Sequence, residues 1–424
     1  MQKSSEFDLA HSPETVLKTA WEALELMQKN NLSLDEYLDD LNSDPVMRRR
    51  AGSLLFTYFR NLKRTEKSLL DCCRKHPEKR LLELLSLALA MAHYQSSLSA
   101  QSVVNIAVTL IKKEFDNFAG KFANAVLRKA LQNIKSENCD LLPNVIASRW
   151  RKEFGREKTL QLSELFASVP ADTVRLRSNF AAIESSDMQI MDLALPWQFY
   201  TCTDLGKLLQ SSEFAKGAFY IQDAAPAMIG GLLQKYAAKL PAEVALLDLC
   251  AAPGGKFIMD HELLTDCQKN IRRAVAVDRS SRRLKLVQEN CRRCGINAEF
   301  TAGDASEKSL LQGDLFDLVT CDVPCSNSGV FRRRPDALHR WKSAELKRIV
   351  PLQKAILDNA AAKCAPGGLL LYSTCSLEKE ENQAVIEDFL AQNPGFELLE
   401  SQLFMPTAYN DGTFGALLQC KNVK

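Results

Sequence analysis

Residues 244–257 read VALLDLCAAPGGKF. An apolar run reaches Asp248 and then breaks into small residues and two glycines. A short apolar run closed by turn residues predicts a buried strand. Glycines directly after a strand let the backbone approach a ligand closely. The pattern is not Gly-x-Gly-x-x-Gly, and no Gly-Lys-Ser/Thr follows four spacer residues, so neither the dinucleotide fingerprint nor a P-loop is indicated.

Working outward, four more apolar runs follow: RAVAVD (273–278), AEFTAGD (298–304), FDLVTCDVP (316–324) and GLLLYSTC (368–375). Helical stretches lie between them, such as SRRLKLVQENCRRCG (281–295) and LKRIVPLQKAILDNAAAKCAPGG (346–368). This alternation from about residue 216 predicts a mostly parallel, doubly wound sheet. Ligands of such sheets bind beyond the C-terminal strand ends. Acidic residues stand at four successive ends: Asp248, Asp278, Asp304 and Asp322. One alone reads as a turn or cap residue. Four suit a ligand with a ribose, an exocyclic amine and a cationic amino-acid part. S-adenosylmethionine fits better than a dinucleotide, whose pyrophosphate would be repelled.

Two of the ends also carry thiols, Cys325 after Asp322 and Cys375 in YSTCS. In one sheet both reach the same crevice. A thiolate beside a methyl donor points to covalent activation of an electron-poor carbon. Cytosine C5 is such a carbon, a poor nucleophile until a thiol adds at C6, provided the thiol's pKa is locally lowered. A zinc site is a rival reading. Cys291 and Cys294 have ligand spacing, and Cys321 and Cys325 complete four. The first pair lies in a helical stretch, the second beside Pro324, and no histidine is close in sequence, so no metal is expected.

Residues 14–135 read as successive amphipathic helices, including PETVLKTAWEALELMQ and AGKFANAVLRKAL. An all-α domain is expected over 1–138, with basic residues (Arg48, Arg49, Arg50, Arg60, Lys63, Arg64, Lys112, Lys113, Lys121, Arg128, Lys129) that as a set make a nucleic-acid face. Residues 139–215 mix helical stretches with the strand-like TVRLRSNF and WQFYTC, an expected α+β connector. The α/β domain takes 216–424. A chain of 424 residues, 46% hydrophobic and 25% charged, has room for these domains and their cores. Thirteen scattered cysteines and an opening MQKSSEFDLA without an apolar signal region indicate reduced thiols and a cytoplasmic location. The longest apolar run, LLELLSLALAMA (81–92), is too short to span a bilayer and carries Glu83, so a buried helix is expected and no membrane partner. A net charge of +2 decides nothing about nucleic acid.

DLCAAPGGK, CDVPCSNSGVFRRRPD and GGLLLYSTCSLEKEEN resemble the signature blocks of the RNA (cytosine-C5)-methyltransferases. RRRAGSLLFTYFRNL, LLELLSLALAMAHY and AGKFANAVLRKAL resemble the NusB-like antitermination-factor domain. That domain fused to this core is the layout of the bacterial 16S ribosomal RNA enzymes. The resemblance implies a NusB-like helical RNA-binding domain, a connector, and a Rossmann-like class I methyltransferase domain acting on small-subunit ribosomal RNA. It implies that Cys250, Ala251, Ala252, Pro253, Gly254, Gly255 and Lys256 hold S-adenosylmethionine, that Asp278 binds the ribose, Asp304 the adenine side and Asp322 the donor or target base. It also implies that Lys256 faces the target base. Cys375 would be the nucleophile and Cys325 the releasing residue, with Arg332, Arg333 and Arg334 on phosphates. No obligate protein partner is implied. Transfer RNA or large-subunit RNA is an alternative substrate, and a catalytically inactive assembly factor an alternative role. The chain departs from the family pattern at Phe257 and the helix after it, at RLRSN (175–179) and at DGTFGALL (411–418).

Overall fold

The computed structural model describes residues 11–41, 44–134, 141–181 and 186–422. The opening ten residues and the boundary expected at 138/139 lie outside the described residues. The chain divides into two compact units. One holds residues up to Val169 together with Phe331–Arg340, and the other holds Pro170–Val330 and Trp341–Lys424. The expected connector, 139–215, is shared between them. Its helices Asn144–Glu153 and Gly155–Ala167 lie in the first unit and its strands in the second.

The first unit is helical, with helices such as Pro13–Asn30, Leu34–Asp40, Pro45–Leu70, Lys79–Tyr94, Ala100–Glu114 and Asn117–Asn133. Their starts are written locally. Ser12 accepts from Thr15 N–H ahead of Pro13, Ser33 and Glu36 form a capping box, and Asp44 caps Val46 and Met47. The 81–91 stretch is the buried helix expected, and Gln28 Nε2 donates to the enclosed Glu83 at 2.9 Å. Several of the basic residues have partners within this unit. Arg48 pairs with Asp39, Arg50 donates to the His11 carbonyl, and Lys113 pairs with Glu14. Arg49, Lys112, Lys121 and Lys129 stay exposed.

Phe331–Arg340 folds as part of this helical core. Phe331 is fully buried between Trp150 and Phe166, at ring distances of 6.0 and 5.6 Å. The Asp336 carboxylate accepts from Leu34 N–H at 3.1 Å, and His339 bonds the Phe59 carbonyl at 2.8 Å.

The second unit contains two sheets. The small one comprises β1 (Asp172–Leu176), β2 (Met188–Met191), β3 (Phe199–Cys202) and β4 (Phe219–Ile221) in the order β2-β3-β1-β4. The large one comprises β5 (Glu243–Asp248), β6 (Asn270–Asp278), β7 (Glu299–Ala302), β8 (Phe316–Asp322), β9 (Cys364–Thr374), β10 (Phe396–Phe404) and β11 (Thr413–Cys420). Its order is β10-β11-β9-β8-β5-β6-β7. β5 through β9 pair in parallel, while β10 and β11 add an antiparallel edge. Chain order reverses at β5, which neighbours β6 on one side and β8 on the other. The crevice above that reversal is where doubly wound sheets bind ligands.

Two of the sequence departures have structural reasons. Phe257 is fully buried in the core beneath the sheet, opening helix Gly255–Asp266. The same helix carries Glu262, which accepts from both Arg175 and Arg177 of the RLRSN stretch. All three are buried, and Arg175 also donates to Gln222 Oε1 at 2.9 Å. The two departures therefore complete each other and join the small sheet to the glycine-loop helix. Removing one partner from a buried ion cluster leaves unpaired charge, which costs about 3–5 kcal/mol. Glu262→Ala should lose about that much in chemical denaturation, whereas an exposed acidic control such as Glu289→Ala should change little.

Candidate active site

The parallel register assembles the site. Asp322 of β8 lies opposite Ser373 of β9, and Asp248 of β5 lies opposite Thr320 of β8. Asp278 closes β6 opposite Ala302, two residues before Asp304. The four carboxylates and both cysteine loops thus leave one edge of one sheet, as the strand-end reading anticipated.

Cys325 Sγ and Cys375 Sγ are 3.0 Å apart. The contact is held from behind by Glu381, which is fully buried. It accepts from Ser326 N–H at 2.8 Å, from Ser326 Oγ at 2.5 Å, from Ser376 Oγ, and from Gln353 Nε2 at 3.0 Å. One carboxylate therefore binds the serine after each cysteine. Gln353 also donates to the Pro324 carbonyl at 2.9 Å, and Asn382 bridges Thr374 Oγ1 and the Ser376 carbonyl. The loops then pass within backbone contact. Gly329 N–H donates to the Cys375 carbonyl and Gly412 N–H to the Gly329 carbonyl, both at 2.9 Å. A Cβ at Gly329 would lie 2.4 Å from the Gly412 oxygen, so that crossing requires glycine. This gives the DGTFGALL stretch its place. It enters β11, and Phe414 pairs with Thr374 beside the nucleophile candidate.

Lys256 Nζ lies 2.5 Å from Asp322 Oδ1 and donates to Ser373 Oγ at 3.2 Å, while Ser373 Oγ donates to Asp322 Oδ1 at 2.9 Å. Burial alone would lower the Lys256 pKa, but the Asp322 carboxylate outweighs it and holds the ammonium above the usual lysine value. The Cys325 thiol is driven well up by its hydrogen bond with Cys375 and by burial. Beside the ion pair a small cavity is lined by Asp248, Lys256, Asp260, Thr320, Asp322 and Ser373. Burial raises Asp248 to about 7 and Asp260 well above the ordinary carboxylate range.

The glycine loop packs against β6. Asp278 accepts from Ala252 N–H at 3.2 Å and Ser280 N–H at 2.9 Å. Gly254 has φ +108°, and Gly255 starts its helix with no side-chain cap. A side chain at Gly255 would meet the Tyr220 ring at 2.9 Å. Uncapped first-turn N–H groups suit an anionic ligand group. Burial pushes the Cys250 thiol well above the usual thiol value. Asp304 is held below the usual range by Ser306.

The arginine run needs a correction. Arg332, Arg333 and Arg334 belong to the helical unit. The Arg332 side chain is only 3% exposed, so it is not a surface contact for phosphate, and its carbonyl accepts from Arg60 at 2.9 Å. Phe331 and Pro335, buried on either side, draw the run into the core. Arg334 is exposed and sits 3.3 Å from Asp35. Among the described residues no group of His, Cys, Asp or Glu could hold a metal ion, and no helix is long and apolar enough to cross a membrane. Glu381, Ser373 and Asp260 are site residues that the sequence reading missed. Glu381 sits inside the quoted SLEKEEN block, and its spacing from TCS was the available signal. Asp260 had none.

Residues 237–418 match the family model described as 16S rRNA methyltransferase RsmB/F, and residues 15–132 match that of the NusB family. The sheet-bearing part of the chain is thus similar to the RsmB/F methyltransferases, and the helical part ahead of it to the NusB family. A ribosomal RNA small subunit methyltransferase B from Shewanella oneidensis is 39% identical over 186 residues, 44% of this chain and 41% of that protein. A probable ribosomal RNA small subunit methyltransferase B from Bacillus subtilis is 27% identical over 75% of this chain and 73% of its own. Among solved structures, PH0851 superposes with a TM-score of 0.73 at 22% identity, over 96% of this chain and 99% of its own. NSun6 from Pyrococcus horikoshii with SFG gives 0.55 at 18% identity, over 67% and 100%. At such identities the superpositions establish the fold.

Within this site Asp248 makes a stability prediction. Its folded pKa near 7 stands above the unfolded value of about 4, so the folded chain holds an extra proton between them. Stability is therefore full below pH about 4 and is lost as pH rises toward 7. Asp248→Asn keeps an acceptor for Cys250 N–H and cannot ionise. In denaturant titrations its stability relative to the parent should rise across that window, by up to roughly 4 kcal/mol, and stay level above it. A pH-independent difference would refute the neutral carboxyl.

Proposed function

We propose that this chain methylates C5 of a cytosine in small-subunit ribosomal RNA, using S-adenosylmethionine and a covalent Cys375–C6 bond. One observation carries the reading: two thiols in contact at the ends of adjacent parallel strands, beside a lysine–aspartate pair. A packing role explains neither the contact nor a buried carboxylate that holds both loops. The RNA class comes from the RsmB/F relatives, which are named for the small ribosomal subunit.

The loop Cys250–Lys256 fits S-adenosylmethionine. Its uncapped helix start suits a carboxylate, Asp278 the ribose hydroxyls and Asp304 the adenine side. When bound, the cofactor supplies an electrophilic methyl group. The protein's part begins with cytosine leaving its stack, at a cost of a few kcal/mol. Cys375, as thiolate, adds to C6 and pushes electron density onto C5. Lys256 and Ser373 both engage Asp322 Oδ1. Oδ2 then remains to accept from the cytosine N4 amine, with Lys256 close to the ring edge. After methylation the C5 proton leaves to a water held by Cys325, and Cys375 departs as the C5–C6 double bond re-forms. Cys325, kept as a thiol, then lies in place to return a proton to the departing sulfur. Exposed Arg334, the half-buried Arg333 and the exposed lysines of the NusB domain are the proposed phosphate contacts.

Cys375→Ala should abolish methyl incorporation into 16S RNA, read by bisulfite sequencing. Cys325→Ala should accumulate a covalent RNA–protein band on a denaturing gel. Retained methylation in the first, or no adduct in the second with RNA and cofactor present, sinks the assignment. Glu381→Ala loosens the loops, and displacement of a reacting group by 1 Å costs about 100-fold. Its turnover should fall by about that factor with RNA affinity little changed.

A further inference from the structure

We propose that Cys325 and Cys375 also form a dithiol modification site that reacts with hydroperoxides and closes to a reversible disulfide. Their sulfurs, 3.0 Å apart, stand only about 1 Å beyond the length of a disulfide, ~2.05 Å. Both residues are half-buried, so a small oxidant reaches them. Neither loop has to be recruited. Glu381 ties Ser326 to Ser376, and the Gly329 N–H bond to the Cys375 carbonyl closes the second side. The Lys256 ammonium and Cys375 lie within electrostatic reach of each other.

The chemistry balances with the peroxide as oxidant. The Cys375 thiolate attacks one peroxide oxygen, the O–O bond breaks, and a sulfenic acid and hydroxide result. The Cys325 sulfur then attacks the sulfenic sulfur. The S–O bond breaks, the S–S bond forms, and the thiol proton leaves with the oxygen as water. Two thiols are oxidised and one peroxide is reduced to two oxygens at the level of water. A thiol reductant reverses it by exchange. Five other cysteines are poor competitors. Cys202, Cys291, Cys294, Cys321 and Cys364 are buried, and burial raises the pKa of each.

The modification has a consequence for methylation, which rests on the role proposed for Cys375. A disulfide removes the attacking thiolate, so the enzyme stops until reduced. It also spares Cys375 from the sulfinic and sulfonic states that are not recovered.

The test uses the full chain, fully reduced, with hydrogen peroxide as probe. The intact mass should fall by two hydrogen atoms, and titratable thiols under denaturing conditions from thirteen to eleven. Peptide mapping should join Cys325 to Cys375, and dithiothreitol should restore both thiols and methyl transfer. Cys325→Ser should give no joined peptide and should instead accumulate oxygen on Cys375. Thirteen thiols after treatment, a bridge between other cysteines, or oxidation that dithiothreitol fails to reverse would overturn the proposal. The mass reading needs no RNA. If the bridge forms while Cys375→Ala still methylates RNA, the dithiol site stands and the proposed catalytic role falls.

Discussion

Everything at this site depends on one buried carboxylate. Glu381 has no exposure to solvent, and four donors from three segments converge on it. A carboxylate in such a place is tolerable only when its oxygens are satisfied. The same requirement that makes Glu381 costly makes it a clamp. Neither cysteine loop can move without stranding a charge. Strand register brings Asp322 beside Ser373, but register alone leaves loops that continue three and two residues further with freedom to part. Glu381 removes that freedom, and the glycine crossing at Gly329 and Gly412 removes what is left.

Much of this was legible because parallel strands have simple grammar. Five apolar runs alternating with helices imply a doubly wound sheet, and that sheet places strand ends together. Asp248, Asp278, Asp304, Asp322, Cys325 and Cys375 could therefore be gathered without coordinates. The antiparallel edge was not read. β10 is FELLESQLF, which carries exposed Glu397 and Gln402 and half-buried Glu400, and no apolar run announces it. Arg332 was misplaced for a related reason. A run of three arginines reads as surface, and only the packing of Phe331 against Trp150 and Phe166 draws the first of them inside. Burial set by aromatic neighbours distant in sequence has no local signature.

Asp260 and Glu262 show the same limit from the other side. They share a helix with Phe257, and the stretch looked irregular because charged residues stand where a buried helix should be apolar. Each charge has a spatial explanation. Glu262 answers Arg175 and Arg177 from the small sheet, and Asp260 faces the cavity beside Lys256. A departure from pattern at one place was the complement of a departure 87 residues away.

Charge also explains why a site with so many acids holds together. Buried Asp248 and Asp260 and half-buried Asp322 surround one ammonium, and the three carboxylates repel one another when all are ionised beside one cation. Burial raises Asp248 and Asp260, so both hold protons far more readily than an exposed carboxyl, while Lys256 stays charged against the Asp322 carboxylate. A proton held on Asp248 or Asp260 lowers the negative charge of the cavity. The cavity retains one fixed ion pair with a defined direction. Lys256 and Ser373 both grip Oδ1, which orients the second oxygen of Asp322. The acids around the cavity are therefore of two kinds: Asp322, which Lys256 and Ser373 hold by one oxygen so that the other points, and Asp248 and Asp260, which burial makes readier to hold a proton.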